Sequence, residues 1–545
     1  MKKNLFLFFI MLFFLSNSNS QVRQLIKKKE PASEQQVQQM PQEPVKQTVA
    51  QTFNKIELLS NPTEFLVLGK RMFESTIQRF IDHKMQRGVS AAFVDIESLK
   101  SYPGKDEPEK IKRAIADAYT LKGVRYVMLV GDASLFPVRH KYVSTGNELG
   151  RPANGDSWFD GGYNPTDFYY ANLFHHNPDN SPAGFDDWDA DGDGKYNEQV
   201  WQFQGTGDDQ AMNVVTYNPD NVDGYPDIAL GRVPVHTVPE LDIFINKVIK
   251  YETGIVAKHG GITFAAGSSY PNSTQLANEI LAYNNSYFQN FTGTGNIYRG
   301  VYNSKTPAPA PWEDANFATL RNSILKSWAL IYVGHGYNLG WDIQDDVGVF
   351  YDDKNQPHAL NVPQQNFDYS EVEKMQNKID LPVVFSIGCE TGQFKPDVPK
   401  RGEYIDIYGN KKWYRKENGK VWEQYTKEYY NNSSPLTISP PSPYDLDYVS
   451  NRTFACSWLL NKNEAGAIAF FGETVICENY HGRDLIERVL NTYPLAKPRL
   501  GDMWLEGQRQ FWRDFKNSTN VFQNPRAYLS IMTFFGDPTL LVERK

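Results

Sequence analysis

Short apolar runs alternate with segments of helical periodicity along this chain, and that alternation limits the possible fold more than any other feature. The runs Phe65–Leu68, Tyr126–Val130 and Ala329–Val333 contain only apolar and aromatic residues. Strands without a polar face are typical of a parallel sheet that helices cover on both sides. Segments with apolar residues at helical spacing lie between them, as at Ile111, Ala114, Ile115 and Ala118. The pattern predicts βαβ units and an α/β fold.

The remaining runs extend this prediction over most of the chain. Further strands are predicted at 91–94, 228–230, 262–266, 382–386 and 467–471, and a helix at 276–287. A helix is predicted to carry Phe80, Ile81 and Met85 on one face. Another begins at a capping box formed by Thr237 and Glu240, with Pro239 in its first turn and a buried stripe at Leu241, Phe244, Ile245 and Val248.

The N-terminal residues 1–20 have the pattern of a secretory signal peptide. Lys2 and Lys3 precede the apolar run Leu5–Leu15, and small residues at Ser18–Ser20 offer a cleavage site. The run is about half the roughly 20 residues that a spanning helix needs. We therefore expect a secreted protein, extracellular or periplasmic, with no membrane span in its mature form.

Composition divides the rest of the chain into segments. Residues 21–62 are rich in Gln, Lys, Glu and Pro, which predicts a disordered leader, either a removable pro-segment or a solvated linker. Glycines near 254–261 mark a boundary between an N-terminal α/β subdomain at 63–258 and a C-terminal subdomain at 259–545. A polar, Tyr- and Pro-rich insertion at about 395–447 is expected to be irregular.

Charge and cysteine content exclude some functions. The formal net charge of −8 repels phosphate backbones, so the composition disfavours a nucleic-acid partner. Three cysteines are too few for a fold that depends on disulfides. A Cys456–Cys477 bridge is possible and would leave Cys389 over, as a buried thiol or a reactive one.

Two of the predicted strands end in residues that can perform chemistry together. Ala329–Val333 leads into Gly334-His335-Gly336, and the strand at 382–386 leads into Gly388-Cys389-Glu390. Ligands bind outside the carboxyl ends of strands in open α/β sheets. Each residue alone could be structural, but together His335 and Cys389 are candidates for a catalytic pair. An imidazole raises the thiolate fraction of a nearby cysteine, and its protonated form can protonate a leaving amine. The backbone amides of Gly336 and Cys389 are candidate oxyanion donors.

These motifs resemble the gingipain family of caspase-like cysteine peptidases. Besides the Gly-His-Gly motif with Trp341 after it and Cys389 with Phe394 after it, three segments agree: Tyr126–Asp132, Tyr225–Pro234 and Phe534–Leu540. The resemblance covers about residues 64–545. It implies a caspase-like α/β/α sandwich with a mostly parallel sheet in two subdomains. It also implies a thioacyl-enzyme mechanism on polypeptide substrates, with His335 as general acid/base and Cys389 as nucleophile.

The chain departs from the Arg-specific members of that family. Ser273-Thr274-Gln275 lacks the carboxylate that would hold a substrate cation, although Asp342, Asp345 and Asp346 could supply charge from another direction. Gly267-Ser268-Ser269 lacks the Glu that assists the histidine. The resemblance therefore does not extend to Arg specificity or to a third catalytic residue.

An acidic, glycine-containing segment predicts a calcium loop. Carboxylates on alternate positions around a glycine can wrap oxygen ligands about a hard cation. One register starts at Asp187, with Gly192 at the turn and Glu198 closing the loop. The preferred register starts at Asp189, turns at Gly194 and places Tyr196 inward. Its ligands are Asp189, Asp191, Asp193, the carbonyl of Lys195 and Glu198.

The sequence supports three functions in decreasing order. The first is a secreted cysteine endopeptidase. The second is a processing enzyme or transpeptidase of the same fold, which passes the acyl group to an amine. The third is a catalytically silent, calcium-stabilised binding protein. An intact His335 and Cys389 pair disfavours the third function, since folding requires neither residue.

Overall fold

The computed structural model describes most of the chain after residue 61. It covers residues 56, 59, 62–143, 162–203, 214–255, 261–266, 297–300, 312–315, 317–325, 327–344, 349–351, 357–359, 365–393, 401–405, 411–417, 420–422, 453–475, 479–492, 499–517 and 525–542. Residues 53–545 form one compact unit. Within the described residues, no helix combines the length and the apolar character needed to cross a bilayer.

A central sheet of eleven strands organises this unit. In chain order its strands are β1 (Phe65–Gly69), β2 (Ala91–Asp95), β3 (Tyr126–Val130), β4 (Ala229–Val233), β5 (Gly261–Ala266), β6 (Ile297–Gly300), β7 (Trp312–Ala315), β8 (Ser327–Val333), β9 (Val383–Ile387), β10 (Ala469–Glu473) and β11 (Met532–Phe535). Their order across the sheet is β7-β6-β5-β8-β9-β10-β11-β4-β3-β1-β2. Strands β1, β3, β4 and β8–β11 are buried along their whole lengths, because helices cover both faces.

The sheet is parallel except at one pair of strands. Strands β10 and β11 are antiparallel, and every other neighbouring pair is parallel. The five strands from β11 to β2 therefore run opposite to the six from β7 to β10. Carboxyl ends of the two halves consequently open on opposite edges of one sheet.

The helices form two groups by their contacts. They are α1 (Glu74–Gln86), α2 (Glu107–Lys122), α3 (Phe168–Ala171), α4 (Val238–Glu252), α5 (Phe317–Ile324), α6 (Tyr369–Glu373), α7 (Phe454–Leu459), α8 (Asn479–Asn491), α9 (Leu500–Phe515) and α10 (Pro525–Leu529), with 3-10 turns at Arg71–Phe73 and Ile96–Ser101. In one group α1 packs on α4, and α7 packs on α6. In the other α2 packs on α3, and α9 packs on α8 and α10.

Smaller sheets surround the central one. A four-stranded sheet contains Arg139–Val143, Gly162–Thr166, Tyr196–Phe203 and Val214–Tyr217, and a hairpin pairs Phe174–His176 with Pro182–Phe185. A three-stranded sheet of Gly336–Tyr337, Gly340–Gln344 and Gln365–Asp368 follows β8, and Val349–Tyr351 pairs with Pro357–Ala359. Arg401–Ile405, Lys411–Glu417 and Lys420–Trp422 form an antiparallel sheet inside the predicted insertion, so the expectation of a wholly irregular segment was wrong there.

Most predicted elements are confirmed. The capping box of α4 is formed, with the Thr237 side chain accepting the Glu240 amide. The α4 stripe and the α2 positions Ile111 to Ala118 are buried. The prediction for α1 was partly wrong: Phe80 and Ile81 are buried, but Met85 is 57% exposed and Lys84 is buried instead. The helix predicted at 276–287 and the signal and leader segments lie outside the described residues.

A buried ion pair holds β4 to the segment before α3. The Arg232 guanidinium donates two hydrogen bonds to the Asp167 carboxylate, at 2.5 and 2.7 Å, and one to the carbonyl of Gly131 at 2.7 Å. Both side chains are almost completely buried. Since a charge in such surroundings needs its partner, removing one member should cost much more than the pair itself contributes.

Arg232→Met should lower the free energy of unfolding by about 3–5 kcal/mol, because it leaves Asp167 charged and buried. Urea unfolding followed by tryptophan fluorescence measures the change. The control is Arg71→Met, which removes an exposed pair with Glu74 and should cost less than about 1 kcal/mol. Equal losses in the two variants would show that the buried pair has no special role.

Candidate active site

His335 and Cys389 follow neighbouring parallel strands in the same register. Strands β8 and β9 pair residue for residue, and their last pair is Val333 with Ile387. His335 and Cys389 each lie two residues beyond that pair. Neighbouring strands are about 4.8 Å apart, so the shared register brings the two residues to adjacent positions at one edge of the sheet.

The loops that carry the two residues are in direct contact. A methyl group added at Gly336 would lie 2.7 Å from the Thr391 side chain and about 3 Å from the backbone of Gly388 and Cys389. The Gly334 amide donates to the carbonyl of Ile387 at 3.1 Å. Gly336 is therefore required for the close approach, and its amide and that of Cys389 belong to touching segments of backbone.

The histidine loop is fixed from below by an aromatic cluster. The Tyr332 hydroxyl donates to the His335 carbonyl at 2.6 Å, and the Tyr332 ring stacks on Trp341 with centroids 4.5 Å apart. Trp341 is fully buried, and its indole donates to the Ser386 hydroxyl at 2.8 Å. Trp341 also packs against Phe454. The imidazole of His335 itself lies on an exposed residue.

A chain of hydroxyl groups extends this support to the cysteine loop. Ser386 and Thr391 hydroxyls lie 2.7 Å apart, and the Thr391 hydroxyl donates to the Gly388 carbonyl at 2.8 Å. The Glu390 amide donates to the Val475 carbonyl at 3.2 Å, and Glu390 has a positive φ of 61°. The loop after Cys389 therefore turns sharply, which leaves the half-buried cysteine at the top of the turn.

The two described cysteines have different environments, and neither forms a disulfide. Cys389 is half-buried at the sheet edge, whereas Cys456 is 5% exposed on α7. Burial raises the pKa of the Cys456 thiol to about 11, although its contact with Thr453 opposes the shift. Cys477, the other half of the possible bridge, lies outside the described residues.

Several predicted site features also lie outside the described residues. Among them are Phe394, Asp345, Asp346 and the segments 267–269 and 273–275 that concern substrate charge and a third catalytic residue. The side chain of Asp342 is not described either. The oxyanion assignments and the specificity of the site therefore stay predictions.

The acidic loop brings its carboxylates together in two groups. Asp189, Asp191 and Asp220 offer oxygens within 4.8 Å of one another, and so do Asp191, Asp193 and Glu198. Asp191 belongs to both groups. Asp187 belongs to neither, and the Lys105 ammonium lies 3.4 Å from it. The geometry therefore agrees with the register that starts at Asp189.

Sequence reasoning missed Asp220, which lies 22 positions after Glu198. Its carboxylate accepts the amides of Glu198 and Ala190 at 2.9 and 2.8 Å. Burial raises the pKa of Asp220 to about 7; those amides lower it, and the nearby Asp191 and Asp189 raise it. The only sequence signal was a polar turn around Asn218, which is common in loops.

A cation among these groups would fit the donor set. All the side-chain donors are oxygens, as a hard cation prefers. Asn197 supplies a further oxygen, Oδ1, that is buried without a hydrogen-bond partner in the described part of the chain. Cations already present compete in part, since Lys105 lies 2.9 Å from Asp189 and Lys195 lies 3.1 Å from Asp193.

Comparison with known proteins identifies a family and a fold. The family model described as "Peptidase family C25" matches residues 58–543. A solved structure described as a protease aligns with a TM-score of 0.51 at 13% identity, covering 89% of this chain and 80% of that one. That likeness is of fold alone. No curated protein sequence matches.

Two further structures align with slightly lower scores. The complex of Porphyromonas gingivalis RgpB pro- and mature domains has 15% identity and a TM-score of 0.49, covering 88% of this chain and 80% of that one. The Arg-specific cysteine proteinase gingipain R has 15% identity and a TM-score of 0.48, covering 89% and 80%.

In the native protein at about pH 8, iodoacetamide should label Cys389 at least tenfold faster than Cys456. The reason is that only the thiolate reacts, and Cys456 is both buried and weakly acidic. Peptide mapping by mass spectrometry measures each cysteine separately. Both should react at similar rates in guanidinium. Equal labelling in the native state would contradict the environments described.

Proposed function

The chain belongs to peptidase family C25, the gingipain family, and from that membership we propose that it is a secreted cysteine endopeptidase that acts through His335 and Cys389. The resemblance stated from the motifs is confirmed. A cysteine peptidase is the activity that the family supports, and polypeptides are its substrates.

The observation that supports the catalytic pair is the shared register of β8 and β9. Both residues lie two positions beyond Val333 and Ile387, at the carboxyl edge where open sheets place their chemistry. The glycine contact at Gly336 brings the two loops together. A histidine or a cysteine with only a structural role would not require this coincidence.

The proposed reaction begins with transfer of the Cys389 proton to His335. The thiolate attacks the scissile carbonyl carbon, and the amides of Gly336 and Cys389 stabilise the oxyanion that forms. His335 then protonates the leaving amine, and the acyl group remains on Cys389. Water, deprotonated by His335, attacks the thioester and releases the acid.

The support beneath the site suits this sequence of steps. His335 must serve both as base and as acid, so its backbone has to stay in place while its proton moves. The Tyr332 hydroxyl holds the His335 carbonyl, and Trp341 holds Tyr332 by stacking. These two aromatic residues are positioning residues, because they act through His335.

We also propose calcium as a structural cofactor of the acidic loop. Asp189, Asp191, Asp193 and Glu198 would hold it, with the carbonyl of Lys195 and with Asp220 in addition. Bound calcium would neutralise carboxylates that now repel one another. The Lys105 ammonium already links Asp189 to the segment before α2, so the loop would be fixed to that segment.

Secretion rests on the signal-like pattern at residues 1–20 alone. The alternatives to hydrolysis share the same site. A transpeptidase would pass the acyl group from Cys389 to an amine, and a silent binding protein would cleave nothing. The next experiment separates them.

Cys389→Ala and His335→Ala should each reduce peptide cleavage by at least about a thousandfold, because each removes a group that takes part in every turnover. The measurement is cleavage of a peptide library by mass spectrometry, with reductant and calcium present and residues 1–62 absent. Melting temperatures should stay within about 2 °C of the parent protein, since neither side chain belongs to the buried core.

The control for cysteine chemistry is Cys456→Ala, which should cleave at the parent rate once its own melting temperature is accounted for. Products extended by an added amine would favour the transpeptidase. Cleavage that persists in Cys389→Ala would remove that residue from the mechanism, and no cleavage by the parent would favour the binding protein.

Calcium at about 10 mM should raise the melting temperature by about 2–3 °C, given a dissociation constant near 0.1 mM. Differential scanning fluorimetry with calcium, magnesium or chelator measures the shift. Asp191→Asn should abolish it, because Asp191 belongs to both carboxylate groups. Asp179→Asn changes an exposed carboxylate outside the loop and should leave it intact. A shift that survives Asp191→Asn would place the cation elsewhere.

A further inference from the structure

A third group of potential metal ligands lies outside both sites already described. The hairpin of Phe174–His176 and Pro182–Phe185 has an irregular register between His175 and His176. Bulges of this kind re-aim side chains. The rings of both histidines consequently lie near Asp223: His176 Nδ1 is 2.8 Å from its carboxylate, and His175 is within reach of it.

His175, Asp186 and Asp223 each offer a ligand atom, and these atoms lie within 4.8 Å of one another. Among the described residues, nothing hydrogen-bonds to the imidazole of His175. The ring faces two carboxylates at distances that a hydrogen bond would shorten. Ligands about 2.0–2.2 Å from a tetrahedral zinc ion are roughly 3.3 Å apart, which fits within this spacing.

The charge balance at Asp186 supports a bound cation. The Asp186 carboxylate is 3% exposed, and no described residue forms a salt bridge with it. It accepts a long hydrogen bond of 3.4 Å from the Asp223 amide. The nearest ammonium, of Lys112, donates to the Asp186 backbone carbonyl at 2.6 Å. A buried carboxylate normally has an opposite charge in direct contact.

Asp223 is held in place by its surroundings. It accepts hydrogen bonds from the Asn172 amide at 3.0 Å, from the Tyr225 backbone at 2.8 Å and from His176. His176 also contacts Asp227 at 3.0 Å. Metal-binding carboxylates are commonly oriented by hydrogen bonds of this type.

We propose that His175, Asp186 and Asp223 form a structural site for a zinc-like divalent transition metal. One imidazole nitrogen and two carboxylate oxygens suit zinc, and the nitrogen disfavours calcium, which takes oxygen ligands. The metal would join the hairpin to the segment that leads into β4. The proposal does not depend on peptidase activity.

The test is metal binding by the Cys389→Ala protein, since the catalytic thiol would otherwise bind zinc or cobalt. The chelator-treated protein, held in excess calcium to occupy the acidic loop, is titrated with zinc by calorimetry and with cobalt by visible absorption. One equivalent should bind, with cobalt bands of a site of low coordination number. His175→Ala and Asp186→Asn should each weaken binding at least tenfold.

Two variants serve as controls. His236→Ala removes another partly exposed histidine that pairs with an aspartate, and it should bind zinc like the parent. Asp193→Asn alters only the acidic loop and should do the same. No binding, or binding that His175→Ala leaves unchanged, would overturn the proposal. Binding that Asp193→Asn abolishes would overturn it too, because the metal would then lie in the acidic loop.

Discussion

Strand β11 pairs antiparallel with β10 and parallel with β4, and the arrangement of the whole sheet depends on those two contacts. Gly231 on β4 allows the second, because a methyl group there would lie 2.4 Å from the Gly536 carbonyl. The next residue, Asp537, is fully buried and forms an ion pair with Lys84 of α1. The Gly-Arg and Phe-Phe-Gly-Asp segments therefore meet in space. Their role is to join the halves, and the chemistry lies elsewhere.

Other buried polar contacts strengthen the same junction. The Lys247 ammonium of α4 donates to the carbonyls of Trp458, Leu459 and Ala465, which satisfies carbonyls at the end of α7. The Tyr126 hydroxyl of β3 donates to Asp502 of α9 at 2.7 Å. Each contact joins residues more than 200 positions apart. Since the sheet is continuous and these groups are buried, the halves have little freedom to move against one another.

Periodicity predicted the strands well because both of their faces are buried, and burial leaves an apolar run that needs no tertiary information. Local chemistry likewise predicted the α4 capping box. Lys84 could not be predicted as buried, because its partners Glu252 and Asp537 lie far away in the sequence. Asp220 was missed for the same reason. The reversal of strand direction was also beyond sequence reasoning, since it depends on which strand enters between β10 and β4.

The register of β8 against β9 is the feature on which the candidate pair depends most. A slip of one residue would move His335 by about 3.3 Å and turn its neighbours to the opposite face. Apolar burial alone does not forbid such a slip, because both strands are apolar on both faces. Specific contacts do: Gly336 fits only against Gly388 and Thr391, and Trp341 reaches Ser386 only in the observed register. The glycines and the hydroxyl chain thus select one alignment among several that burial would accept, and that alignment places the imidazole beside the thiol.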